Sequence, residues 1–262
     1  MGFLGTLRSS LQRHPGKVIA SPKRASVAAI FRHSPVQPDK VQLLYIRRKV
    51  NPHDTWSGHM AFPGGRMNDG ETELAAAIRE THEEIGLTLN ESHVVGRIDD
   101  RPVYYGRTVA TSHVFLLGHN EAFNPVLQAK EVSDVLWVDV DFLLSTPIQT
   151  LQIPTKYIFP KMTDIPDTIG QSKRTTLENM THIDFPCIYL NRPDGHVHEY
   201  ADDAAAAAAV RPVHDFVLWG LTYNMTSDIL KAGGHNPLPS MSAAVRSIRD
   251  AIFHAGLGKS KL

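Results

Sequence analysis

Between Thr72 and Gly86 the apolar and β-branched positions follow a helical rhythm: Leu74, Ile78, Thr81 and Ile85 recur at spacings of four, three and four. At about 100° per residue they form one stripe that faces a core. The helix is expected to start near Asp69 to Thr72, where capping residues precede the periodic stretch. It is expected to end at Gly86, which suits the position just past a last helical turn. Glu80, Glu83 and Glu84 centre on the opposite side, Glu73 points the same way, and Ala76 and Ala77 leave room above the acids. The pattern predicts a helix that is apolar below and acidic above.

Elsewhere the pattern is mostly strand-like. Ala25 to Phe31 and Val41 to Ile46 read as apolar strands joined by a Pro-rich hairpin loop. Val94 to Ile98, Ala110 to Leu117 and Val135 to Val140 are further strands, and Arg47 to Thr55 reads as a polar loop. Residues 145–185, rich in Pro, Thr and Asp, read as a long loop with short strands. The run Ala204 to Ala209 reads as a low-complexity helical insert capped by Asp202 and Asp203, and Val213 to Lys231 as an amphipathic helix. At the other end, Leu4, Leu7, Ser10, Leu11 and His14 suit a short amphipathic helix that packs on the domain and stops at Pro15-Gly16. No internal repeat is visible. The reading is one domain over residues 1–262, with a core of about 22–144 and a helical extension of about 200–255.

Composition narrows the chemistry. The 262 residues carry 27 Lys plus Arg against 27 Asp plus Glu, so no broad electrostatic footprint for nucleic acid is expected. No run of 18 apolar residues exists, which argues against a transmembrane segment. The single cysteine, Cys187, excludes an internal disulfide framework, and its strand-like surroundings suggest a packed thiol.

The acidic face is the informative feature. Carboxylates three and four residues apart are neighbours on a helix and repel. A solvated acidic surface is the plain alternative. A hard divalent cation with oxygen ligands relieves the repulsion, and Phe62-Pro63-Gly64-Gly65 leads into the helix through a special backbone turn. Arg79 sits inside the cluster and can pair with Glu71 or another carboxylate. Glu131, ahead of the strand at Val135, can reach such a site as an extra ligand or base, or can be a turn residue.

Gly65, Glu71, Arg79, Glu80, Glu83, Glu84, Gly86 and Leu87 match the Nudix box in identity and spacing over residues 65–87. Thr81 departs from it, standing where the family usually has an aliphatic residue. The chain thus resembles the Nudix hydrolases. The resemblance implies an α/β Nudix fold, with a mixed β-sheet sandwiched between helices (α/β/α). It also implies hydrolysis of a nucleoside diphosphate linked to another moiety. Glu80, Glu83 and Glu84 would bind Mg²⁺ or Mn²⁺, the Gly65 carbonyl would add a ligand, and Glu71 with Arg79 would be the orienting pair. A Glu of the box, or Glu131, would take a proton from water.

Leu43 to Arg47 and Gly58 to Gly65 look like the coenzyme A pyrophosphatase branch, as does the Trp219-Gly220-Leu221-Thr222 segment. The substrate implied is coenzyme A or an acyl derivative, cleaved to 3′,5′-ADP and 4′-phosphopantetheine. Trp56 stands where that branch has His, and His59 where it has Gln. Other nucleoside diphosphate derivatives, such as ADP-ribose, NADH or a diadenosine polyphosphate, are the alternative substrates, and a non-catalytic nucleotide-binding module is a further one. Arg47, Arg48 and Lys49 are candidates to hold phosphates, with His59 beside them. The final Ser260-Lys261-Leu262 matches a peroxisomal address read by an import receptor. The acid-free, basic first 38 residues leave a mitochondrial address as the alternative.

Overall fold

The computed structural model describes residues 2–51, 56–103, 108–118, 121, 123–159, 163, 165–190 and 216–259, with backbone only over 256–259. The Ala204 to Ala209 insert, its Asp202 and Asp203 cap and the Ser260-Lys261-Leu262 tail lie outside these residues.

The central sheet is built around β1 (Arg24–His33). This strand runs parallel to β7 (Thr108–Leu116) and antiparallel to both β2 (Val41–Arg48) and the short β4 (Gly64–Arg66). On the far side of β2 lie β3 (Met60–Ala61) and β8 (Val132–Asp139). On the far side of β7 lie β5 (Val94–Arg97) and β6 (Arg101–Val103). The sheet is mixed, as the family resemblance implies.

Period-two alternation gives this sheet two buried faces. Ala28, Ile30, Leu44 and Ile46 pack with Ala77 and Ile85 of α2 (Glu73–Ile85) on one side. Ala29, Phe31, Leu43 and Tyr45 pack on the other, against Leu7 and Leu11 of α1 (Phe3–Arg13) and Tyr223 of the helix Gly220–Ala232. Each large apolar side chain so buried contributes about 1.5–3 kcal/mol. Helices thus cover both faces, which is the α/β/α sandwich. The N-terminal stretch is the packed helix that its Leu7 and Leu11 spacing predicts.

The second helix has the expected limits. Thr72 caps it by accepting from the Ala75 amide at 3.1 Å, and Gly86 ends it in the left-handed conformation at φ 74°. Its faces differ from the expected ones in detail. Ala76 and Ala77 are fully buried, so the buried stripe is wider than four residues. Glu73 does not point with the acids: its carboxylate pairs with Arg24 at 2.7 Å and Arg97 at 3.0 Å, and so holds the first turn to the sheet. The cause is the charge of two arginines that sequence spacing does not reveal. Thr81 is fully buried and donates its hydroxyl to the Ala77 carbonyl at 2.7 Å. That local bond lets a polar residue occupy an aliphatic position.

Three other expectations are corrected. Arg47 and Arg48 belong to β2, because each pairs in the ladder with β8, so the polar loop begins after them. Residues 145–185 are not mainly loop. After α3 (Val140–Ser145), they supply β9 (Gln149–Pro154), the short helices α4 (Thr155–Ile158) and α5 (Gln171–Glu178), and the start of β10 (His182–Tyr189). The third expectation concerns Val213 to Lys231, which is not one helix. Val217–Leu218 forms β11 opposite Ile188 and Tyr189, and only then does α6 (Gly220–Ala232) begin. Residues 213–215 lie outside the described set. These strands make a second sheet, β11-β10-β9. Ile188, Leu190, Phe216 and Leu218 join the main core, while α7 (Ala243–Lys259) packs Ile248 and Ile252 with Ile165 and Ile183. Cys187 is buried beside Ile153 and Val217, and burial pushes its thiol up to about 11, as a packed cysteine requires.

Candidate active site

At the junction of β2, β4 and α2 a cavity of about 440 Å³ opens between the acidic helix and the sheet. Its lining includes Glu80, Glu83, Glu84, Glu131, Arg48 and Gly65. The helix supplies the three acids because Glu80, Glu83 and Glu84 lie three and four apart. The loop ahead of β8 supplies Glu131, and β2 supplies Arg48.

The acids are not equivalent. Glu84 is buried, only 1% exposed. Its Oε2 accepts from the Gly64 amide at 2.8 Å, and its Oε1 lies 3.6 Å from Arg48 Nη1. Burial dominates those two favourable contacts and pushes its pKa up to about 8. Glu80 is also raised, first by burial and despite Arg79. Glu83 stands at the open edge with its side chain 56% exposed.

Arg79 organises the cluster. Nε and Nη2 form a bidentate pair with Glu71 at 2.8 and 3.0 Å. Nη1 donates to Glu80 at 2.9 Å and to Glu83 at 3.0 Å, and Nη2 also reaches the Arg66 carbonyl at 3.1 Å. All three nitrogens are therefore engaged, a use only the guanidinium fork allows. Glu71 in turn accepts the Asn68 amide at 2.9 Å, and the Arg79 bonds hold its carboxyl below the usual range.

Among the described residues no three His, Cys, Asp or Glu side chains converge on one point as ready metal ligands. Arg79 and the Gly64 amide hold them instead. The donor set nevertheless fits a hard cation. Four carboxylates line one cavity, and two of them have raised pKa values because burial leaves their charge under-compensated. Gly65 is part of the fit. A Cβ there would fall 2.5–2.6 Å from the Glu80 carboxylate and would displace it from its place in the cavity.

The other sequence candidates separate in space. Arg48 lies in the cavity, whereas Arg47, one residue away in a strand, projects to the opposite face. There it lies 3.9 Å from Asp134 and over the Phe216 ring at 5.0 Å. Lys49 and His59 are not in the lining. The Lys49 amide donates to the Glu131 carbonyl at 2.7 Å, and the His59 ring lies 4.9 Å from that of Trp219. Arg66 and Gln128 do line the cavity and were missed by the sequence reading. Arg66 follows directly on the Gly-Gly turn, which was the available signal. Gln128, whose amide donates to the Glu84 carbonyl at 2.9 Å, has no signal in its neighbours.

With this geometry in place, the family is settled by comparison. Residues 22–161 match the NUDIX domain model, and the chain belongs to the Nudix family. A Schizosaccharomyces pombe protein described as uncharacterized is 34% identical over 152 residues, covering 50% of this chain and 46% of that protein. The peroxisomal coenzyme A diphosphatase ndx-8 of Caenorhabditis elegans is 32% identical over 124 residues, covering 45% and 50%. The mitochondrial coenzyme A diphosphatase NUDT8 of Homo sapiens is 40% identical over 63 residues, covering 24% and 26%. The chain spans half or less of the length of these relatives. No described helix is long and apolar enough to cross a membrane.

Proposed function

We propose that this chain hydrolyses the diphosphate linkage of coenzyme A or its acyl derivatives, releasing 3′,5′-ADP and (acyl-)4′-phosphopantetheine. The observation that carries the reaction class is the cavity where Glu80, Glu83, Glu84 and Glu131 meet Arg48. The choice of coenzyme A is supported by the printed names of two relatives, the coenzyme A diphosphatases of Caenorhabditis elegans and Homo sapiens.

Glu80, Glu83 and Glu84 would hold Mg²⁺ or Mn²⁺, with the Gly65 carbonyl as a further oxygen. Such an ion, when bound, supplies charge neutralisation on the diphosphate and a more acidic water. Arg48, next to Glu84, orients a diphosphate oxygen as a charged donor. Glu131 Oε, at the exposed edge of the cavity, takes a proton from the attacking water. Arg79 and Glu71 keep the helix carboxylates in register without touching substrate.

A hydrolysis panel read by mass spectrometry tests the reading. Coenzyme A, ADP-ribose, NADH and diadenosine polyphosphates are each incubated with enzyme and Mg²⁺ or Mn²⁺. Preferred release of phosphopantetheine supports it. Preference for ADP-ribose or a dinucleotide replaces the substrate, and no turnover of any of them removes the enzymatic reading.

A further inference from the structure

Beside the carboxylate cavity runs a chain of aromatic rings that the reaction does not use. The Trp56 and His59 rings meet edge-on at 6.0 Å, His59 meets Trp219 at 4.9 Å, and Trp219 meets Phe185 edge-on at 5.1 Å. The row passes from the surface inward: Trp56 is 41% exposed, while Trp219 is 7% exposed. Its position relative to the cavity follows from the ladder. Arg47 pairs with Met60, and the Arg48 amide then donates to the His59 carbonyl at 3.0 Å. Opposed residues of an antiparallel pair share a face, so His59 starts from the face on which Arg48 reaches Glu84. The buried indole N–H of Trp219 has no hydrogen-bond partner among the described residues, so the row also holds an unused donor.

We infer that Trp56, buttressed edge-on by His59 with Trp219 behind it, forms the platform on which the planar base of the nucleoside diphosphate stacks while Arg48 and the acids engage its phosphates. An exposed indole offers a large π-face to a purine at low entropic cost. This specificity site rests on the proposed diphosphate hydrolysis and adds to it the half of the substrate that the cavity does not explain.

The test compares wild type, Trp56→Ala and Trp56→Phe on coenzyme A and on a diphosphate diester that carries no base. Trp56→Ala is expected to raise KM for coenzyme A about tenfold, with kcat changed by no more than roughly twofold. Its KM for the base-free diester should not change, and Trp56→Phe should restore most of the loss. Titration of the wild type with 3′,5′-ADP should quench indole fluorescence, and Trp56→Phe should lose that quench. An active wild type whose Trp56→Ala variant keeps its KM, or whose fluorescence ignores 3′,5′-ADP, overturns the platform alone. A wild type inactive on every nucleoside diphosphate overturns the hydrolytic reading, and the platform falls with it.

Discussion

The Oε2 atom of Glu84 accepts a hydrogen bond from the Gly64 amide at 2.8 Å, which ties the buried acid of the helix to the turn that precedes it. The bond fixes where the helix stands over the sheet edge. It also leaves Glu84 Oε1 facing Arg48 and the cavity. Replacing Glu84 by Gln keeps a neutral acceptor for the Gly64 amide, so the fold should survive while hydrolysis is lost. Thermal unfolding and a hydrolysis assay on the same preparation check this. A folded variant with wild-type turnover would remove Glu84 from the site.

Arg79 to Lys is expected to lower activity about 10- to 100-fold, the usual cost of losing a group that orients catalytic ligands. A lysine cannot serve Glu71 bidentately and still reach Glu80 and Glu83. The steady-state rate at saturating substrate is the measurement, and a drop confined to KM would contradict the positioning role.

Thr81 to Val should leave stability within about 1 kcal/mol of wild type, or raise it. The hydroxyl is fully buried and bonded only to the Ala77 carbonyl in the described structure, and a methyl of the same shape loses no partner that the helix does not already supply. Denaturant unfolding gives the value, and activity should not change.

His113 gives the fold a pH dependence. Burial, with Arg97 adding to it against Asp100, depresses its pKa to about 4 from an ordinary 6.5. The unfolded chain binds this proton from about pH 6.5 downward, while the folded chain resists it until about pH 4. The contribution of His113 to stability should therefore fall as pH drops through that window, by at most about 1.4 kcal/mol per pH unit for one proton, against the opposite contribution of Glu84, whose carboxyl is raised to about 8. His113→Gln should remove this contribution, so the stability difference between variant and wild type should change between about pH 6.5 and 5. A difference that stays constant would show that His113 does not supply it.

Much of this arrangement is legible in the sequence, and for definite reasons. The acids of α2 are spaced by helix geometry, so their common face follows from numbering alone. The pairing of Arg79 with Glu71 was legible because the two lie within one short segment. Strands β1, β2, β5, β7 and β8 were visible as apolar runs. What stayed hidden depends on partners far along the chain. Glu73 turns to the sheet because of Arg24 and Arg97. Val217 and Leu218 become a strand because Ile188 and Tyr189 offer an open edge. Arg47 and Arg48 are adjacent in sequence but fall on opposite faces, which could be read only once β2 was known to continue through them. The depth of Glu84 was hidden too, since a helical wheel assigns a direction and not what covers it.

The most direct test of the whole account is Glu83→Gln on coenzyme A with Mg²⁺ or Mn²⁺, followed by mass spectrometry of the products. Glu83 is half exposed and, among the described residues, pairs with Arg79, so the variant should fold like the wild type. Wild type should release 3′,5′-ADP and 4′-phosphopantetheine only with the metal, and Glu83→Gln should release neither. Release by the folded variant at the wild-type rate, or release by wild type in chelator, would contradict it.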